Sequence, residues 1–230
     1  VNELYWLVML IVNFAGILAA YRLLGKTGLY VWVALAAIIA NIQVVKTVEI
    51  FGLQATLGNI VYAGSFLATD ILSENHGKRD AGRAVGIGFF TLVVMTVLMN
   101  LALLFEPSAE DFSHEALTVI FSIMPRIAAA SLCAYLVSQI HDIWAYNLWK
   151  RKLPTRRFLW IRNNASTLVS QLIDTAVFTV IAFAGVFSTG TVVQIGITTY
   201  VLKVLVAAAD TPFLYLASRW FERGSIPEGR

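Results

Sequence analysis

NASTLVSQLIDTAVFTVIAFAGVF, residues 164–187, is long enough to cross a bilayer and carries one charge, Asp174, near its middle. A spanning helix needs about 20 predominantly apolar residues, and a charge at mid-bilayer costs roughly 3 kcal/mol on insertion scales. The stretch reads as a membrane helix whose carboxylate must be paired or face a polar cavity. Asn164, Thr167, Gln171 and Asp174 recur at steps of three and four, which puts them on one stripe, with Asn163, Ser166 and Ser170 on the adjoining face.

Working outward, four stretches contain no charge: 4–21, 27–45, 50–69 and 84–105. Two more are long enough to span but hold charges, 116–140 with Arg126 and 192–217 with Lys203 and Asp210. Composition agrees. Of 230 residues, 58% are hydrophobic and 13% charged, and the mean hydropathy is +0.74; soluble domains carry about a quarter charged residues. The expected fold is all-α, a polytopic membrane bundle of seven transmembrane helices with no soluble domain and no long linker. The first stretch has no basic region before it, only Glu3, and the small pair Ala19-Ala20 runs straight into Tyr21-Arg22. It therefore reads as a retained helix rather than a cleaved signal.

Lys and Arg in short loops set orientation. Arg22 and Lys26 follow the first span, Lys46 balanced by Glu49 the second, and Lys78, Arg79 and Arg83 the third. The loop after the fourth is acidic, with Glu106, Glu110, Asp111 and Glu115. The loop after the fifth is strongly basic, from Lys150, Arg151 and Lys152 through Arg156 and Arg157 to Arg162, and Trp144, Trp149 and Trp160 flank it. The loop after the sixth is uncharged, and the tail holds Arg219, Arg223 and Arg230. Basic loops alternate with non-basic ones, which places the N-terminus outside and the C-terminus inside. The fifth helix is expected to run past Ile140 to carry His141 and Asp142. The net charge of +3 is then a topology signal at an anionic leaflet, not a nucleic-acid footprint.

Several functions are excluded. His-Glu-x-x-His, Gly-x-x-x-x-Gly-Lys and Cys-x-x-Cys do not occur, so the chain has no motif for hydrolysing ATP unaided. His76, His114 and His141 fall in loops or at span ends, which removes an intramembrane serine protease. The single cysteine, Cys133, has no thiol partner and is expected to be a small packing residue. No metal and no cofactor are expected.

The informative residues are the charges inside the spans. Counted along their helices at ~1.5 Å per residue, Arg126, Asp174 and Lys203 all reach about the same central depth. Thr199, Lys203 and Asp210 share a stripe of the last span; Asn41 and Gln43 come from the second; Tyr62, Thr69 and, near the inner end, Asp70 from the third. Ser, Thr and Asn often serve only as interhelical glue, but three charges at one level suggest a polar site.

The run FLATDIL at 66–72 followed by GKRDA at 77–81, the block RIAAASLCAY at 126–135 with Gln139 and Asp142, the block NASTL at 164–168 with IDT at 173–175 and IAF at 181–183, and YVLK at 200–203 together resemble the queuosine precursor transporter family, also called the vitamin uptake transporter family. The resemblance covers about residues 30–219. It implies a six-helix core over 28–220, similar to the substrate-binding subunits of energy-coupling-factor transporters, with residues 1–27 an additional N-terminal helix and 221–230 a cytoplasmic tail. It also implies uptake of 7-deazaguanine bases, the cyano- and aminomethyl-precursors of queuosine or queuine, across the cytoplasmic (inner) membrane of a prokaryote, with no enzymatic step. The expected partners are a nucleobase substrate and membrane lipid, and no nucleic acid; energy comes either from an energising partner module or from metabolic trapping of the base. A guanine-type base offers two adjacent N–H donors, which one carboxylate can accept together. Asp174 is the candidate for that role, Arg126 or Lys203 for the ring carbonyl, Gln171, Asn164 and Asn41 for the remaining edge, and Phe178 or Tyr62 for stacking, with Asp70 on the inner side.

Two other classes compete. A retinal protein is suggested by seven spans and Lys203, but Thr199 stands where a carboxylate four residues earlier is wanted. A cargo-free structural or assembly subunit is suggested by the small-residue pairs Ala15/Ala19 and Ala36/Ala40. The topology is directly testable. Reporter fusions within residues 22–28, 74–83 and 150–157 are expected to report cytoplasm, and an external signal at any of them breaks the seven-span arrangement.

Overall fold

Gly25 decides how the chain begins. The computed structural model describes residues 1–152 and 159–227, except for the side chains of residues 139, 142, 143, 146, 147, 149–151 and 159–167. Helix α1 (Asn2–Gln43) is interrupted at Gly25, whose φ of 60° and ψ of −145° are open essentially to glycine alone. The chain folds back there, so that the ring of Trp32 reaches Gly16 and Gly28 lies against the carbonyl of Ala20. The apolar stretches 4–21 and 27–45 are the two limbs of this hairpin. Pro227 of the C-terminal tail closes over Gly25 and would meet any added Cβ.

The stretch 50–69 is not one helix, and the fold is not purely helical. Strands β1 (Thr47–Ile50) and β2 (Leu53–Thr56) form an antiparallel hairpin with Ile50 opposite Leu53. Phe51 and Gly52, both at positive φ (52° and 76°), make the two-residue turn that suits right-twisted strands. The β-branched residues Thr47, Val48, Ile50 and Thr56 favour pleated backbone, whereas average hydropathy cannot tell an apolar hairpin from a helix. The N-terminus fastens the tip: Asn2 Nδ2 donates to Glu49 O (2.8 Å), and Glu3 Oε1 accepts from Phe51 N (3.0 Å).

Helix α2 (Asn59–Asn75) follows, then α3 (Lys78–Ala102), α4 (His114–Phe121), α5 (Met124–Lys152), α6 (Leu159–Phe183) and α7 (Thr189–Glu222). The expected span 116–140 is broken between α4 and α5. Pro125 supplies the reason, because its ring cannot continue a helix but fits a first turn. As expected, α5 runs on past Ile140 and carries His141. At the other end, α6 stops at Phe183 rather than 187, where Gly185 turns the chain at φ 78°. Cys133 is exposed on α5 instead of packed. Of the basic cluster at 150–162 only Lys152 has a described side chain; Trp149 and Trp160 likewise lie outside the described side chains.

The distribution of polarity is that of a membrane protein. Asn2–Gln43, Lys78–Ala102, His114–Ser138 and Thr189–Glu222 are long and apolar enough to cross a bilayer. Their outer faces are apolar, for example Val193, Ile197, Val201 and Leu205 on α7 and Phe90, Val97 and Leu98 on α3. Asn13, Asn41, Asn59, Asp174, Lys203 and Asp210 are buried instead. One apolar cluster joins both limbs of α1 to α2 and α7 through Phe14, Ile17, Leu67 and Ile71, with the Phe14 and Phe213 rings 4.8 Å apart. A second joins α4, α5, α6 and the start of α7 through Phe121, Met124, Phe183 and Ile195.

Gly25→Ala is expected to cost about 1–3 kcal/mol because the backbone there excludes other residues, read as a lowered thermal midpoint in detergent. Gly82→Ala, on α3 where an added Cβ meets open space, is the control and is expected to be neutral or stabilising by up to about 1 kcal/mol.

Candidate functional site

Between the two clusters, α6 and α7 bring opposite charges together. Asp174 sits at the middle of α6 and Lys203 at the middle of α7, and Lys203 Nζ lies 2.6 Å from Asp174 Oδ2. The two side chains are 7% and 4% exposed. Neither charge is tolerable alone at this depth, so each is held by the other. Ser138 Oγ on α5 approaches Asp174 Oδ1 at 3.4 Å. The ring of Tyr62 on α2 lies 5.1 Å from Lys203 Nζ, a cation–π distance.

The pair faces a small, partly open cavity. Its walls come from five helices: Asn41 of α1, Asn59 and Tyr62 of α2, Ser131 and Ala134 of α5, Asp174 and Phe178 of α6, and Thr199 and Lys203 of α7. Asn59 ties the β-hairpin to α7, since its Nδ2 donates to Thr56 O (3.0 Å) and Thr199 Oγ1 (3.0 Å). Asn41 donates to Ala37 O (2.7 Å) and accepts from Ser131 Oγ (3.3 Å). A turn before Asp174 on α6, Gln171 is buried, and its Oε1 has no partner among the described residues.

Of the residues singled out from sequence, Asp174, Lys203, Asn41, Tyr62 and Phe178 line this one cavity. Gln171 is buried but is not among the residues that line it. Asp70 lies eight residues beyond Tyr62 on α2, ~12 Å along the helix. Asn164 and Thr167 belong to α6, but their side chains lie outside those described. Arg126 is a correction. Its Nε donates to Ile181 O (2.7 Å) and a terminal nitrogen to Ala184 O (2.5 Å), so it caps the carbonyl end of α6 instead of joining the pair. The expected depth counted from residue 116; the helix that carries Arg126 begins at Met124, which leaves Arg126 in its first turn. A cation at a helix C-terminus answers both the unpaired carbonyls and the negative end of the dipole.

Sequence reasoning missed Asn59, Ser131 and Ser138. Asn59 was detectable as a strongly polar residue inside an apolar window. Ser131 and Ser138 are seven residues apart, one face of a helix, on either side of the small Ala134.

The family profile described as "Putative vitamin uptake transporter" matches residues 56–217. The chain belongs to the vitamin uptake transporter family. It is similar to a protein of Bacillus subtilis (strain 168) named "Probable queuosine precursor transporter", 44% identical over 218 residues, 95% of each chain. A protein of Escherichia coli (strain K12) named "Queuosine precursor transporter" is 29% identical over 171 residues, 73% of this chain and 74% of its own. One of Haemophilus influenzae (strain ATCC 51907 / DSM 11121 / KW20 / Rd) named "Probable queuosine precursor transporter" is 28% identical over 159 residues, 68% of this chain and 65% of its own. No solved structure is significantly similar to the chain. Family membership and the apolar helices together make this a multi-pass membrane protein. The family segment holds the ion pair, Asn59, Tyr62 and both serines, and leaves Asn41 before it.

Removing one charge should expose the cost of the other. Lys203→Met is expected to destabilise by about 3–5 kcal/mol, because Asp174 is left buried and unpaired. The double variant Asp174→Asn/Lys203→Met is expected to recover most of that loss in a thermal shift assay. Equal melting of Lys203→Met and the unaltered protein would show that the pair is not coupled.

Proposed function

We propose that this chain carries 7-deazaguanine bases, the queuosine precursors, inward across the cytoplasmic membrane of a prokaryote, reading the base with the Asp174–Lys203 pair. The observation that carries the proposal is that pair, buried at 2.6 Å and facing a cavity lined by Tyr62 and Phe178. A carboxylate offers two oxygens to two adjacent ring N–H groups, and an ammonium has three donors, of which one is engaged by Asp174. When the base takes Asp174, Lys203 turns to the ring carbonyl, so neither charge is left without a partner. Tyr62 and Phe178 supply stacking faces, and Gln171, whose Oε1 has no partner among the described residues, lies a turn away. The names of the three relatives point to the same cargo. The reading assigns transport and no catalysis.

In this arrangement both limbs of α1 cross the membrane, as do α2, α3, α4 with α5, α6 and α7. That makes seven spans with the N-terminus outside and the C-terminus inside. The first limb is the addition to a six-helix core.

Asp174→Asn keeps the volume and one acceptor oxygen for the ammonium but leaves Lys203 without its counter-charge, so uptake is read per folded transporter. The second oxygen becomes a donor facing a ring N–H. A site built to hydrogen-bond its ligand loses heavily when a partner is missing, and uptake of a labelled deazaguanine should fall at least about a hundredfold. Asp70→Asn should act more mildly. Normal uptake by Asp174→Asn would reduce Asp174 to a structural counter-ion.

A further inference from the structure

One buried charge plays no part in base reading. Asp210 lies on α7, seven residues beyond Lys203, ~10 Å further along the same stripe. It is 8% exposed. Among the described residues it accepts no hydrogen bond and meets no cation. Among the described residues, another carboxylate, Asp70 of α2, is the charge that bears on it. An ionised carboxylate without a partner is the least tolerable group in an apolar interior; a carboxyl that gains and loses a proton avoids that cost. Intramembrane carboxyls that face a bundle interior are the usual means of carrying protons through it.

The surrounding groups leave Asp210 free to act in this way. Asp174 of α6 is engaged by Lys203. On α1, Tyr21 is bonded to Asn75 and His76, and Arg22 stacks on Trp220. Strand β2 carries no titratable side chain. On α7 itself the next cation beyond Lys203 is Arg219, nine residues on from Asp210, and the inner turns of α6 lie outside the described side chains. Two residues past Asp210 is Pro212, inside α7. It has no N–H for the carbonyl of Ala208 and so weakens the helix at this turn. Asp210 thus sits beside a turn of α7 that lacks one backbone hydrogen bond.

We propose that Asp210 is a proton-binding site that couples inward movement of the base to inward movement of one proton. The proposal rests on the transport reading above. The proton is taken from water on the outer side when the cavity opens there, neutralises the carboxylate while the base crosses, and is released to cytoplasmic water when α7 relaxes the other way. No bond other than O–H forms or breaks.

The test uses the full chain in proteoliposomes with labelled 7-cyano-7-deazaguanine, a neutral base, so accumulation driven by a pH step must come through a proton carried with it. Counterflow at equal pH reads exchange without coupling; an acid-outside step of one unit reads coupling. The unaltered protein is expected to show counterflow and, with one proton per base, about tenfold accumulation. Asp210→Asn is expected to keep counterflow and lose accumulation, and Asp210→Glu, which retains a proton site, to keep both. An inward base gradient is also expected to acidify the lumen, read with a trapped pH-sensitive dye on the unaltered protein; this does not depend on any variant folding. Counterflow without accumulation or lumen acidification in the unaltered protein, or full accumulation by Asp210→Asn, overturns the proposal and leaves transport standing. Absence of counterflow in the unaltered protein overturns the transport reading and this proposal with it.

Discussion

An ammonium and a carboxylate held 2.6 Å apart between apolar helices constrain almost everything else in this protein. In low-dielectric surroundings each charge is costly alone, and their attraction offsets that cost only when the geometry is good and the remaining valences are met. The helices therefore have to meet in one register. Lys203 must reach Asp174 from α7, Ser138 must come up from α5, and Tyr62 must place its ring beside the ammonium from α2. The same requirement leaves space. Groups that satisfy one another without filling the volume between them define a cavity with polar walls, which is where a polar cargo can be taken out of water.

Arg126 shows the opposite solution to the same problem. It too is a charge within a long apolar stretch, yet it needs no anion, because two carbonyls at the end of α6 accept its guanidinium. Its planar fork of donors fits that task better than an ammonium would. The contrast separates charges that close helix ends from charges that meet only side chains from other helices.

The β-hairpin at 47–56 extends this logic to the backbone. Backbone polar groups in an apolar setting must be satisfied locally or by a neighbour. The hairpin pairs its own strands, its turn donates to Glu3, and Thr56 accepts from Asn59. Asn59 passes that connection to Thr199, one turn before Lys203. The hairpin, the start of α2 and the cationic side of the site thus form one connected unit, and Ile50 and Ala55 pack with Leu202 beside Lys203 to hold it in place.

The membrane class and the family were legible in the sequence, because long apolar stretches and their bordering charges are local properties that a bilayer reads directly. So was the importance of Asp174 and Lys203, since a charge inside such a stretch must find a partner whatever the fold. The identity of that partner was not. Depth along a helix depends on where the helix begins, and Pro125 and Gly185 shift the ends of α5 and α6 enough to give Arg126 to the carbonyls and Lys203 to Asp174. Hydropathy could not separate the hairpin from a helix, because both bury the same side chains; only pairing between strands, a non-local contact, distinguishes them. Asn59 and Ser131 came to line the cavity, and Ser138 to reach Asp174, only when five helices packed together, a matter of contacts between distant segments that local sequence does not encode.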